Sequence, residues 1–170
     1  MTKRILLALV CLLPLTTFAQ DVKIGYYNRT EIFQSMPETV EANKKLETVS
    51  QAYEKEILRI QEEYQKKGSE YIAGRDTMPE TIRTRRESEI QDLQQRLQSF
   101  YQDSQENIKK QYQDLMVPIN SKLDDVVKTV GRDNGFILVF DISAGAGLSY
   151  WSIDKCVDVT NLIRAKLGLK

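Results

Sequence analysis

The apolar and polar positions of this chain fall into three textures. From Val22 to Tyr27, VKIGYY alternates, with Val22, Ile24 and Tyr26 on one face, which predicts a short strand. From about Glu38 to Arg132, Glu, Gln, Lys and Arg dominate, and apolar residues recur at helical spacing. From Phe136 onward FILVFDI is a continuous apolar, β-branched and aromatic run, the pattern of a strand buried on both faces. SAGAG then supplies a glycine-rich turn, and LSYW reads as a returning strand. VTNLIRAKL reads as a last helix, with Asp158 as N-cap and Gly168 at C′.

The middle region divides in two. SMPETV at 35–40 and TMPETI at 77–82 both place a hydroxyl residue three positions before a glutamate. Ser35 with Glu38, and Thr77 with Glu80, therefore read as capping boxes. Pro37 and Pro79 fall in the first turn, where a missing N–H costs nothing. Helices are predicted from about 37 to 74 and from about 78 to 131. The link, with its tip near 68–79, is short enough to turn the second helix back along the first as an antiparallel hairpin. At about 1.5 Å per residue the arm is roughly 55–60 Å long.

The apolar spacing along both helices is eleven. Leu46 recurs at Ile57 and Gly68, Val49 at Ile60 and Tyr71, and Tyr53 at Tyr64. In the return helix the rows are Leu97, Ile108, Ile119, Val130, then Leu93, Ser104, Leu115, Val126, then Ile90, Tyr101, Tyr112, Leu123. Eleven residues in three turns is about 3.67 per turn, which predicts a nearly straight or slightly right-handed seam. Pro118 removes one helical hydrogen bond from the return helix, giving either a tolerated bend or a bend that aims the arm.

The first residues change the picture of where the chain works. Lys3 and Arg4 precede the apolar run Ile5 to Leu15, and Thr17-Phe18-Ala19 forms a signal-peptidase site, so 1–19 is expected to be an export signal. The apolar stretch is shorter than the roughly 20 residues of a membrane span. Removing Lys3 and Arg4 from 24 basic residues leaves 22 against 24 acidic ones, a balance that offers nothing to nucleic acid. Cys156 is the only cysteine after the signal, and it reads either as a small buried hydrophobe or as an intermolecular partner.

Candidate chemistry is sparse. The chain has no histidine, which removes the commonest general base and metal ligand. No nucleophile motif, phosphate loop or CxxC pair is present, so no enzyme, cofactor or metal is expected. Near the tip, Arg83, Arg85 and Arg86 form a local basic patch within a nearly neutral region. It reads as a solvated helix end or as a contact for acidic headgroups at a membrane surface. Tyr53, Tyr64, Tyr71, Tyr101 and Tyr112 lie along the hairpin, where their wide contact area suits seam packing or undiscriminating binding. Outside the hairpin, 20–36 and 132–170 make a body of 56 residues, marginal alone yet rich in apolar side chains, which points to several chains sharing one core.

Together the export signal, VKIGYYNRTEIFQSMPE, the charged hairpin, RDNGFILVFDIS and VDVTNLIRAKLG resemble the Skp/OmpH family of periplasmic chaperones. The resemblance covers the whole chain after the signal. It implies an α+β fold, with a small β-rich trimerisation body and a hairpin arm over 37–131 projecting from it. It also implies ATP-independent holding of unfolded outer-membrane proteins in a cavity between three arms, in the periplasm. Carried onto this sequence, Ile24, Tyr26, Phe136, Leu138, Phe140 and Leu148 build the trimer. Tyr53, Tyr64, Tyr71, Ile72, Met78, Ile82, Tyr101 and Tyr112 are then the client-binding residues of the inner arm surface. The nearly balanced tip departs from the strongly basic tips common in the family. The other reading of the hairpin is a structural or tethering protein that docks end-on to an envelope partner.

Overall fold

The fold is that of a computed structural model in which residues 22–143 and 147–169 are described. The expected export signal lies outside the described residues, as do three residues of the SAGAG turn. The elements in chain order are β1 (Ile24–Tyr27), α1 (Arg29–Ser35), α2 (Pro37–Gly74), a 3-10 turn (Arg75–Thr77), α3 (Glu80–Asp133), β2 (Leu138–Asp141), β3 (Val157–Asp158) and α4 (Thr160–Lys166).

The three strands form one parallel sheet in the order β2-β1-β3. Tyr26 sits opposite Phe140 and Ile24 opposite Leu138, while Gly25 pairs with Val157 on the other edge. A parallel pair needs a long crossover, and here α1, α2 and α3 together supply it between β1 and β2. This topology corrects three expectations. The body is not β-rich: its strands total ten residues, and helices supply most of its packing. LSYW is not a strand, because the chain after β2 crosses to the far edge of β1 instead of pairing back on β2. Nor is FILVFDI covered on both faces within one chain, since Ile137 and Leu138 remain 71% and 52% exposed.

One face of the sheet carries the core. Tyr27 and Val159 pack with Ile32 and Met36 from α1 and the turn after it, Ile163 of α4, and Met116, Ile119, Leu123 and Val130 of α3. Each such side chain contributes about 1.5–3 kcal/mol through burial. Gly25 lets these layers approach, for a Cβ there would lie 3.1 Å from Val159 and 3.2 Å from Phe136.

The helix starts use chemistry that differs from the expected boxes. α1 has no counterpart among the expected elements; Asn28 caps it, accepting from the Glu31 N–H at 3.1 Å. Ser35 ends this helix, its hydroxyl donating to the Ile32 carbonyl at 2.8 Å and accepting from Arg164, and it does not cap α2. Met36 holds the N-cap position of α2, and Pro37 follows as its first residue. At the tip Thr77 donates back to the Gly74 carbonyl at 3.0 Å, and Pro79 occupies the N-cap position of α3. Glu38 and Glu80 pair with Lys122 and Arg83 rather than with cap N–H groups. Asp158 accepts from the Thr160 N–H at 2.9 Å, but the N-cap itself is Val159. Gly168, at φ +74°, closes α4 with Leu169 bonding back to Arg164 and Gly168 to Ala165, a Schellman end.

α2 and α3 lie side by side and antiparallel. Glu38 meets Lys122, Arg96 reaches Glu56 at 3.8 Å, and Lys67 meets Glu89 at 3.2 Å. Tyr53 and Phe100 stack edge to face at 5.9 Å midway. α3 runs through Pro118 as one helix.

Candidate functional site

The three eleven-residue rows of α3 have different fates. Leu93 and Ser104 are buried in the seam, with the Ser104 hydroxyl satisfied by the Phe100 carbonyl at 2.6 Å. Leu97 and Ile108 are half-buried beside them. The row Ile90, Tyr101, Tyr112, Leu123 lies about 65° to one flank of the seam centre. At its base Leu123 is fully buried in the core with Ile32 and Met36, but Tyr101 and Tyr112, farther out, are 53% and 55% exposed. These two tyrosines therefore leave the expected seam, and Phe100 and Gln111 take the half-buried positions on its other flank. The row stays apolar or aromatic although Tyr101 and Tyr112 remain more than half exposed.

The hairpin consequently has two unlike sides. On one, Ile57 of α2 and Leu97 and Tyr101 of α3 border a shallow groove whose remaining lining is glutamine: Gln61, Gln94, Gln98 and Gln102. No charged side chain lines it. On the other side lie the cross-helix pairs of Glu56, Lys67, Glu89 and Arg96. Hydrogen bonds from Lys122, Arg59 and Lys67 hold Glu38, Glu56 and Glu89, respectively, below the usual carboxylate range.

The remaining arm candidates do not converge on that groove. Tyr53, Tyr64 and Tyr71 are half-buried along the seam, and the Tyr71 hydroxyl donates to Glu87, which raises its pKa. Ile72 and Ile82 are exposed at the tip, while Met78 is half-buried over Gly74. The tip arginines are not a free basic patch: Arg83 pairs with Glu80, and Arg85 and Arg86 both pair with Glu89. Sequence reasoning missed Ile57, Leu97 and the glutamines as a surface. The signal was present in QDLQQRLQSFYQ, where uncharged glutamine flanks each apolar residue of one side.

A second apolar surface lies on the open face of the sheet. Alternation places Ile24, Tyr26, Leu138 and Phe140 there, opposite the core. Trp151 joins them, its ring 6.4 Å from Tyr26 and 6.1 Å from Phe140, with Tyr26 and Phe140 themselves 6.3 Å apart. Leu148, Tyr150 and Ile153, close to Trp151 in the chain, are exposed. Trp151 Nε1 is buried without an acceptor among the described residues. Phe136 faces the other way, against the core and under Lys23, whose Nζ lies 4.9 Å from its ring centre. Cys156 is half-buried. Among the described residues no acidic or cysteine cluster could hold a metal, and no helix is long and apolar enough to cross a membrane.

The profile of the family described as Outer membrane protein (OmpH-like) matches residues 23–167. Among solved structures, the fold is similar to that of a candidate outer membrane chaperone (OmpH-like) from Caulobacter crescentus CB15, with a TM-score of 0.70. The two are 14% identical, and the match covers 85% of this chain and 82% of the other. No curated protein matches the chain.

Proposed function

The chain belongs to the OmpH-like family, and from that premise we propose that it is an ATP-independent periplasmic holdase for unfolded outer-membrane proteins. The observation that carries this reading is the two-sided hairpin. An unfolded β-barrel precursor exposes alternating apolar residues and unpaired backbone, and aggregates in water. The side with Ile57, Leu97, Tyr101, Ile108 and Tyr112 offers it scattered apolar contact among glutamine amides that serve either backbone partner. With no fixed charge in the groove, clients of either sign are accepted, and shallow contacts keep each one releasable. Opposite, the ion-paired side keeps the arm soluble.

The open sheet face supports assembly through the body, as a trimer. Contiguous, only half-covered aromatic surface of this kind, bordered by exposed Leu138, marks an interface. Ile24, Tyr26, Leu138 and Phe140 then lie at the centre of the contact, and Leu148 at its edge. Phe136 supports the assembly from beneath.

The test is dilution of a urea-unfolded outer-membrane barrel into nucleotide-free buffer. One equivalent of trimer should suppress light scattering, and unchanged aggregation would sink the holdase reading. Mass by light scattering should give three chains; a monomer would overturn the assembly.

A further inference from the structure

Arg29 stands where the body meets the hairpin. Its guanidinium donates to Asp124 Oδ1 at 2.6 Å and to Asn120 Oδ1 at 2.8 Å, both on α3. Its backbone N–H donates to Asp141 Oδ1 at 3.1 Å, at the end of β2, and Asp141 is held in turn by the N–H and hydroxyl of Ser143. One residue thus ties the β1–α1 junction to the neighbouring strand and to the long helix. Burial works against its charge, but the hydrogen bonds it donates to Asp124 and Tyr27 prevail and hold its pKa above the ordinary value.

The place of this tie along α3 matters. Pro118 lies two residues before Asn120 and has no N–H to give the Asp114 carbonyl. Val117 and Pro118 face solvent. Just beyond them, the Asn120 side chain bridges, its Nδ2 donating to the Met116 carbonyl at 2.9 Å while its Oδ1 takes Arg29. Met116, Ile119 and Leu123 hold the same stretch against the core. Apolar contacts are non-directional and tolerate rocking, whereas a two-pronged guanidinium fixes orientation.

We propose that Arg29 is the positioning residue that sets the direction in which the hairpin leaves the body. The inference does not depend on what the arm binds. Removing the fork deletes hydrogen bonds to a charged group, so the population of swung-out arms should rise by about tenfold.

The experiment reads direction rather than stability. Spin labels at Asn161→Cys and Gln105→Cys, both exposed positions, are placed in the full chain carrying Cys11→Ser and Cys156→Ser and diluted with unlabelled chain. Pulsed distance measurement should give one narrow distribution. With Arg29→Met it should broaden and gain a second population. Should Arg29→Met fail to fold, Asp124→Ala, at a half-exposed position, removes one prong and is expected to broaden the distribution less. An unchanged distribution in whichever of these variants folds would overturn the proposal, even if its melting temperature fell, because the tie would then be structural only.

Discussion

The body and the arm are built from the same chain by opposite means. In the body, short elements distant in sequence converge, and Tyr27, Ile32, Met36, Leu123, Val159 and Ile163 are enclosed from several directions. In the arm, two helices share a seam one side chain thick, and beyond the base only Ile60 and Leu93 are buried apolar residues. The contrast teaches that length and enclosure are separate quantities. A hairpin of 38 and 54 residues gains reach from helix geometry, but it leaves both flanks of its seam open. One open flank is closed by charges; the other stays apolar and is the surface proposed for clients.

The largest effect should come from the enclosed side of this contrast. Leu123→Ala empties a fully buried site between α3, α1 and α4 and should cost about 2–5 kcal/mol. Because Trp151 is the only tryptophan and belongs to the body, its fluorescence reports the body while far-UV circular dichroism reports mostly the arm. Both urea transitions should shift together. Ile60→Ala, equally buried but in the arm, should cost nearer about 2 kcal/mol, since open flanks let neighbours relax into the space. Here the dichroism midpoint should fall and the tryptophan midpoint should not. Equal shifts in both probes would show that the arm and body unfold as one unit, and the comparison would fail.

A smaller stability effect should accompany a larger functional one on the apolar flank. Tyr101→Ser with Tyr112→Ser removes two half-exposed rings and should change stability by about 0.5 kcal/mol per site at most. Suppression of barrel aggregation should nevertheless weaken, requiring more chaperone for the same light scattering. Arg96→Gln, on the charged side, should leave suppression intact. If the two variants lose equally, the sides of the hairpin are not functionally distinct.

How far this division was legible depends on the distance over which each signal acts. The eleven-residue spacing is local and names the rows of both helices, and Gly168 marks its helix end within one turn. The same spacing does not say which flank of a row is covered. Tyr101 and Leu123 belong to one row, and only the arrival of Ile32 and Met36 from α1 makes one buried and the other open. α1 itself was legible in Asn28-x-x-Glu31, the start of a short helix, but the neighbouring SMPE pattern draws Ser35 into the wrong helix. LSYW has the composition of a strand, and only the parallel order of the sheet, a long-range property, denies it a partner. The Arg29 fork likewise joins residues 95 positions apart, beyond any local pattern.

Acid should separate the regions most gently. Glu38 and Glu89 sit below the ordinary glutamate value of 4.5, through hydrogen bonds from Lys122 and Lys67 respectively. A carboxylate whose folded pKa is lowered adds stability that is fully present above the unfolded value and disappears as pH falls through the folded one. The cross-helix edge of the arm should therefore hold at neutral pH and weaken below about pH 4.5. Asp141 tends the same way in the body: burial raises its pKa, but the hydrogen bonds from Ser143 and the Arg29 N–H outweigh it. The core around Leu123 carries no carboxylate, so the body as a whole should respond less. Thermal melts at pH 7, 4 and 3 should lower the dichroism midpoint ahead of the tryptophan midpoint, by a small margin because the arm carboxylates are solvent-screened. High salt at pH 7 should reproduce part of that margin by screening the same pairs. A tryptophan transition that moves first would place the acid-sensitive tie at Asp141 and the Arg29 junction instead of along the arm.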